Sequence, residues 1–258
     1  MIKKLQSIIN KISPFLAIMI ILVAWQLASS TGIVPKYMLP SPVDVVSAFI
    51  NDFPLLMEHA KTTLTEAFLG ITAGIALGFV IAVLMERFHL FSKSVYPIIV
   101  LTQTVPTVAI APLLVLWMGY GILPKITLIV IITFFPITVS LLEGFHSADP
   151  DALNLLKAMG ANRFQCFMHI KMPNALNHFF SGLKISVSYS VVGAVVSEWL
   201  GGFTGLGVYM IRVRKSYSFD KMFAVIFFIS FISLVLMFLV SYIKKITMPW
   251  ERIKKENN

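Results

Sequence analysis

Residues able to do chemistry are scarce in this sequence, and they stand apart from one another. Glu66, Glu143, Lys184 and Glu198 all fall near the ends of apolar stretches rather than within them. No H-E-x-x-H occurs and no His/Asp cluster recurs at helical spacing, which argues against an intramembrane enzyme. No G-x4-G-K-[ST] occurs, so the chain has no P-loop for nucleotide phosphates. The single cysteine, Cys166, has no second thiol to pair with. Its neighbours Arg163, Gln165 and His169 do not make a metal-ligand set, so it reads as an inert thiol and no metal site is expected. What remains is the chemistry of hydrogen bonding and docking. Gln103, Thr104 and Thr107 flank Pro106, and Ser186, Ser190 and Ser197 share a stripe that ends at Glu198.

The elements that position these residues lie in a bilayer. Of 258 residues, 57% are hydrophobic and 13% charged, with a mean hydropathy of +0.85. About a quarter of an ordinary soluble domain is charged. The net charge of +9 would suggest nucleic acid in a soluble protein, but here the charges flank apolar segments and orient them. A spanning helix needs about 20 mostly apolar residues. Six segments approach this: 12–28, 64–85, 95–117, 125–142, 177–199 and 222–243. The expected fold class is all-α, a polytopic transmembrane helical bundle in one domain over 1–258. Lys3 and Lys4 before an apolar stretch ending at Ala28 also fit a signal peptide. An uncleaved first span fits better, because nothing soluble follows it.

Orientation follows from lysine and arginine placement. With the N-terminus inside, fourteen of the 21 lie on the inner side, among them Lys3, Lys4, Lys11, Arg87, Lys157, Lys171, Lys244, Arg252, Lys254 and Lys255. Seven lie outside, including Lys36, Lys61, Lys125 and a cluster from Arg212 to Lys221 that opposes the assignment. The balance puts both termini in the cytoplasm of a bacterial cell, in a multi-pass inner-membrane protein.

Gly70, Gly74, Gly78 and Ala82 recur every four residues along the second span. A bulk-free stripe lets helix backbones approach closely in lipid. It serves packing within one subunit or between subunits. In the fifth span Gly182, Ser186, Ser190, Gly193 and Ser197 form a second narrow stripe. Its hydroxyls either bond a neighbouring helix or line a polar path. Pro97, Pro106 and Pro112 interrupt the third span, each removing a backbone donor. Non-helical backbone at membrane depth needs burial or a hydrated cavity, so Pro106 marks a kink or a substrate contact. Glu198, beside Trp199, is a solvated interfacial group or a gate.

The segment 145–175 is neither a polar connector nor a span. Asp149 can cap a helix whose first residue is Pro150, followed by Asp151. Gly160 supplies a left-handed stop about ten residues on. Asn162 caps a second short helix, which Pro173 limits. Leu153, Leu156, Met159, Phe164, Phe167 and Ile170 are too many apolar residues for a solvated linker. Such a knob packs on its own membrane domain or inserts into a partner.

The spacing Gly160-Ala161-x5-Phe167-x2-Ile170-x-Met172-Pro173 resembles the EAA loop of ABC-importer membrane subunits, which reads G-A-x5-F-x2-I-x-L-P. Asn154, Leu155 and Leu156 stand where the family has E-A-A. Leu39-Pro40-Ser41-Pro42, Ala111-Pro112 through Trp117, and Glu198-Trp199 through Gly207 resemble the nitrate/sulfonate/taurine branch. The wording around Leu155–Gly160 is similar to permeases for thiamine pyrimidine precursors or riboflavin.

The resemblance implies a type I ABC-importer fold and a non-enzymatic permease subunit. ATP and magnesium would be bound by a cytoplasmic ATPase dimer, with no cofactor in this chain. Further implied partners are a second permease copy and an extracytoplasmic binding protein. The docking set would be Asp151, Asn154, Leu155, Leu156, Met159, Gly160, Ala161, Phe167, Ile170 and Pro173. The substrate would be a small organic nutrient, or a sulfonate-, taurine- or nitrate-like anion. An ion-coupled secondary transporter is the rival reading. It calls for ionisable groups near mid-membrane and paired broken helices, and the sequence offers no clear internal repeat.

Overall fold

A computed structural model describes residues 2–31, 34–35 and 38–249, without the side chains of 2–12 and 14. The side chains of Lys3, Lys4 and Lys11, and all of Lys36, Arg252, Lys254 and Lys255, lie outside the described residues. Every regular element among the described residues is helical. The helices are α1 (Ile2–Ser30), α2 (Pro42–Asn51), α3 (Phe53–Arg87), α4 (His89–Thr104), α5 (Thr107–Met118) and α6 (Leu123–His146). They continue with α7 (Pro150–Ala158), α8 (Arg163–Cys166), a π-helical turn (Phe167–Lys171), α9 (Met172–Gly201), α10 (Leu206–Lys215) and α11 (Phe219–Thr247).

Four helical stretches are long and apolar enough to cross a membrane: Phe53–Arg87, Leu123–His146, Arg163–Gly201 and Phe219–Thr247. They contain the second, fourth, fifth and sixth expected spans. The third differs from expectation. It is a pair, α4 and α5, bent by 100° at Val105–Pro106. The described apolar part of α1, Phe15–Ser30, is shorter than the other spans. At 35 residues α3 is about 52 Å long, so it overshoots a hydrocarbon core of about 30 Å.

The described residues group into two compact units. One comprises Met1–Glu58 and Tyr209–Phe228. There the capping box of Ser41 and Asp44 starts α2, with Pro42 in its first turn. Val45, Ala48 and Ala224 form its small core against Trp25, Phe49 and Phe223. Asp52 accepts the Tyr209 hydroxyl at 2.5 Å and pairs with Lys221 at 2.8 Å.

The second unit comprises His59–Val208 and Ile229–Asn258, and α6 is its centre. A Cβ placed on Gly70, Gly74 or Gly78 would run into Ile129, Thr133 and the Phe134 carbonyl oxygen of α6 respectively. The α3 stripe therefore packs within this chain, at a distance only glycine allows. The α9 stripe meets α6 as well. A Cβ on Gly182 would lie 2.6 Å from the Pro136 carbonyl oxygen, and Ser186 donates its hydroxyl to the Thr133 carbonyl at 2.9 Å. Ser190 and Ser197 are buried and bond back to Val187 and Ala194 of their own helix.

Candidate functional site

The loop between α6 and α9 is built as its residue types dictate. The Asp149 carboxylate accepts the Asp151 N–H at 2.9 Å and Pro150 opens α7. Gly160 adopts φ +86° after the helix ends. The Gly160 N–H bonds the Lys157 carbonyl at 3.0 Å and the Ala161 N–H bonds that of Leu156 at 3.1 Å, a left-handed helix stop. Nothing lies within 4 Å of a Cβ placed on Gly160, so its role is backbone conformation, not space. Asn162 and Gln165 form a capping box that starts α8.

From α8 onward the structure departs from the expected second short helix. Pro173 does not stop it. Arg163–Gly201 forms one 39-residue helical path, with Pro173 in the first turn of α9 just after the π turn. There the Met172 N–H reaches the Phe167 carbonyl, five residues back. The extra residue has a geometric use. In an uninterrupted α-helix Phe167 and Ala175 would face directions about 80° apart, and one additional residue in a turn reduces that to about 20°. Both then meet α6. Phe167 stacks on Phe145 at 5.2 Å, and Ala175 fills the space opposite Gly144.

The loop is thus anchored at its base and bare at its tip. Asn174 donates to the Gly144 carbonyl at 2.9 Å and to the Ser147 hydroxyl at 2.8 Å. Phe167 and Ile170 are partly covered, whereas Asp151, Asn154 and Pro173 are exposed. Leu155 is 65% exposed, Met159 75% and Phe164 70%. Leu156 and Ala161 are half-buried. The tip therefore presents apolar side chains that this chain does not cover.

The break between α4 and α5 exposes a second set. Gln103, Thr104, Val105 and Pro106 are all exposed there. The Thr102 and Thr104 hydroxyls donate to Ile99 and Leu101 carbonyls, closing part of the α4 terminus. Of the residues first considered for a polar path, only Gln103, Thr104 and Pro106 reach this surface. Ser186, Ser190, Ser197 and Glu198 face packed interior instead.

Glu198 belongs to a cluster that no sequence pattern revealed. Its Oε1 accepts the Thr63 hydroxyl at 2.7 Å and its Oε2 the Gly207 N–H at 2.6 Å. Thr63 also accepts the Leu206 N–H, and His59 Nδ1 accepts that of Gly205, both at 2.9 Å. Lys125 pairs with Glu66 at 2.5 Å, and all these side chains are buried. Glu66 Oε2 faces no hydrogen-bond donor among the described residues. The cluster fixes the glycine-rich segment 202–207 to α3 and α9. Only the spacing of Thr63 and Glu66, three apart and so on one helix face, hinted at it.

Residues 70–249 match the family model of the binding-protein-dependent transport system inner membrane component. The chain belongs to this family. A probable ABC transporter permease protein of Haemophilus influenzae is 36% identical over 91% of this chain and 96% of its own length. A formylaminopyrimidine transport permease protein of Halalkalibacterium halodurans is 34% identical over 93% and 96%. Among solved structures, the inward-facing MetNI methionine ABC transporter has a chain matching at TM-score 0.65 and 18% identity, covering 74% of this chain and 95% of its own. An amino acid ABC transporter matches at TM-score 0.62 and 16% identity, over 77% and 95%. The fold is that of type I ABC importers. This permease is an integral membrane subunit of an ABC importer, and membership sets aside the ion-coupled carrier.

Proposed function

We propose that this permease forms half of a translocation pathway for a small organic nutrient of the thiamine pyrimidine-precursor class. A cytoplasmic ATPase seats on α7 and drives it. The carrying observation is the loop tip: Leu155, Met159 and Phe164 stand exposed around the left-handed Gly160, on a base clamped to α6 and α9. Exposed apolar side chains on a rigid helical knob fit insertion into a partner groove better than solvation. Asn154 is uncharged, so the contact relies on apolar fit. ATP and magnesium reside on the ATPase, and a binding protein delivers the substrate from the outer side. Two copies of this chain complete the path, with both termini cytoplasmic, and Gln103, Thr104 and Pro106 face it from the broken span.

The relative that transports formylaminopyrimidine supports that substrate class. The riboflavin, sulfonate, taurine and nitrate relatives are 23–28% identical, which makes the anions the second reading. The test is uptake of radiolabelled formylaminopyrimidine by vesicles holding the permease with its ATPase and binding protein. Vanadate-sensitive accumulation is expected. Accumulation of taurine or nitrate, with none of the pyrimidine, would overturn the substrate assignment.

A further inference from the structure

At the inner end of α3, Glu86 forms an ion pair through Oε1 with Lys171, the last residue of the π turn. Its Oε2 lies 3.5 Å from His146 Nε2, at the end of α6. The Glu86 side chain is only 13% exposed and that of Lys171 25%. One carboxylate thus faces both flanks of the loop, where the chain enters it and where it leaves.

The three helices around the loop are tied to it differently. α6 and α9 continue covalently into it and are clamped together by Asn174. α3 has no such continuity, being followed directly by α4. Yet α3 carries the Gly70–Gly78 stripe against α6 and, through Thr63, holds the buried Glu198. A push on α7 that moved only α6 and α9 would shear that glycine-tight contact. A half-buried charge pair at the loop's exit is screened little by solvent and resists such shear.

We propose that Glu86 is a positioning residue for ATP-driven switching: its pair with Lys171 makes α3 move as one body with the loop. This rests on the reading of α7 as the ATPase seat. The π turn contributes by setting the register in which Lys171 precedes α9 and Phe167 still reaches Phe145.

The experiment uses the permease with its ATPase in nanodiscs, with Cys166→Ala and spin labels at Arg87→Cys and Lys157→Cys on a minority of copies diluted into unlabelled Cys166→Ala permease, so that the distance within one copy is read. Pulsed electron-spin distances are compared without nucleotide and after trapping with ATP and vanadate. With Glu86 intact, one narrow distance is expected in both states. Glu86→Gln, and independently Lys171→Met, should lose it on trapping, giving a shifted or broadened distribution. The exchange Glu86→Lys with Lys171→Glu should restore it, which a merely structural loss would not. A narrow, unchanged distance in both single variants would overturn the proposal. So would an intact protein whose distance already shifts on trapping. Met159→Glu separates the underlying reading: if it leaves ATPase binding unchanged, the seat itself is wrong, whatever Glu86 does.

Discussion

Thr63 donates its hydroxyl to Glu198 at 2.7 Å across 135 residues of sequence, and the same oxygen accepts the N–H of Leu206. One small side chain therefore satisfies a buried carboxylate and a buried backbone donor together. Thr63→Val keeps the volume and removes both bonds. A buried hydrogen bond is worth about 0.5–1.5 kcal/mol, and the orphaned N–H adds to the loss. The expected result is a lower Tm in detergent and faster proteolysis at 202–207, while Thr63→Ser stays close to wild type.

Gly160 should tolerate replacement according to backbone preference rather than size. Its Cβ would meet open space, but φ +86° costs most residues about 1–2 kcal/mol. Gly160→Asn should retain ATPase binding and transport, since Asn visits this region readily. Gly160→Val should insert into the membrane normally and lose both. Co-purification of the ATPase with each variant checks this, and wild-type binding by Gly160→Val would contradict it.

Met159 and Leu155 contribute little to the permease's own stability, because this chain does not cover them. Met159→Glu or Leu155→Asp should change unfolding free energy by no more than about 0.5 kcal/mol. ATPase affinity should fall about tenfold or more, as a charge replaces an apolar anchor. Measuring Tm and ATPase affinity on the same preparations separates the two effects.

Gly74 should accept no larger side chain. A Cβ there would collide with Thr133, in a helix pair that glycine alone brings so close. Overpacking of this kind costs about 1–3 kcal/mol or more. Gly74→Leu should reduce the yield of folded protein, and Gly74→Ala should lower Tm less. A Gly74→Leu protein as stable as wild type would count against the α3–α6 contact.

Asp52 gives the first unit an acid-sensitive tie. Burial alone would raise its carboxyl, but hydrogen bonds from Lys221 and Tyr209 outweigh that and hold it below the usual carboxylate range. Burial and the Asp52 bond raise the Tyr209 phenol in turn. A depressed carboxyl stabilises the fold above its unfolded value of about 3.9, and the contribution is lost as pH falls through the folded value. Tm should therefore decline with acidification below about pH 4 more steeply in wild type than in Asp52→Asn. Because the pair is near the surface, the difference should stay under about 1 kcal/mol.

Local rules carried the sequence reading of the loop. Asp149, Pro150, Gly160 and Asn162 act on backbone within a few residues, so their roles could be read without any fold. The glycine stripes were legible as close contacts, though not that α6 receives both. Three features depend on distant partners and were not readable. Pro106 and its polar neighbours Gln103, Thr104 and Thr107 marked a kink or a substrate contact, but nothing local sets the angle at 100°. Pro173 normally signals an end, yet the π turn before it lets the helix continue. Glu66, Lys125 and Glu198 looked like separate interfacial charges, because their shared burial is set by three helices meeting in space.

The bend at Val105–Pro106 also bears on the lifetime of an unassembled subunit. Carbonyls at the end of α4 have lost their helical partners, and the surrounding residues are exposed. Hydrocarbon offers them nothing, so a lone chain is in debt at this spot until protein or water covers it. A subunit synthesised in excess should meet the membrane's quality-control proteases first. Its half-life in cells should lengthen as the chain pairs with its second copy, a dependence on expression level that pulse-chase labelling would read directly.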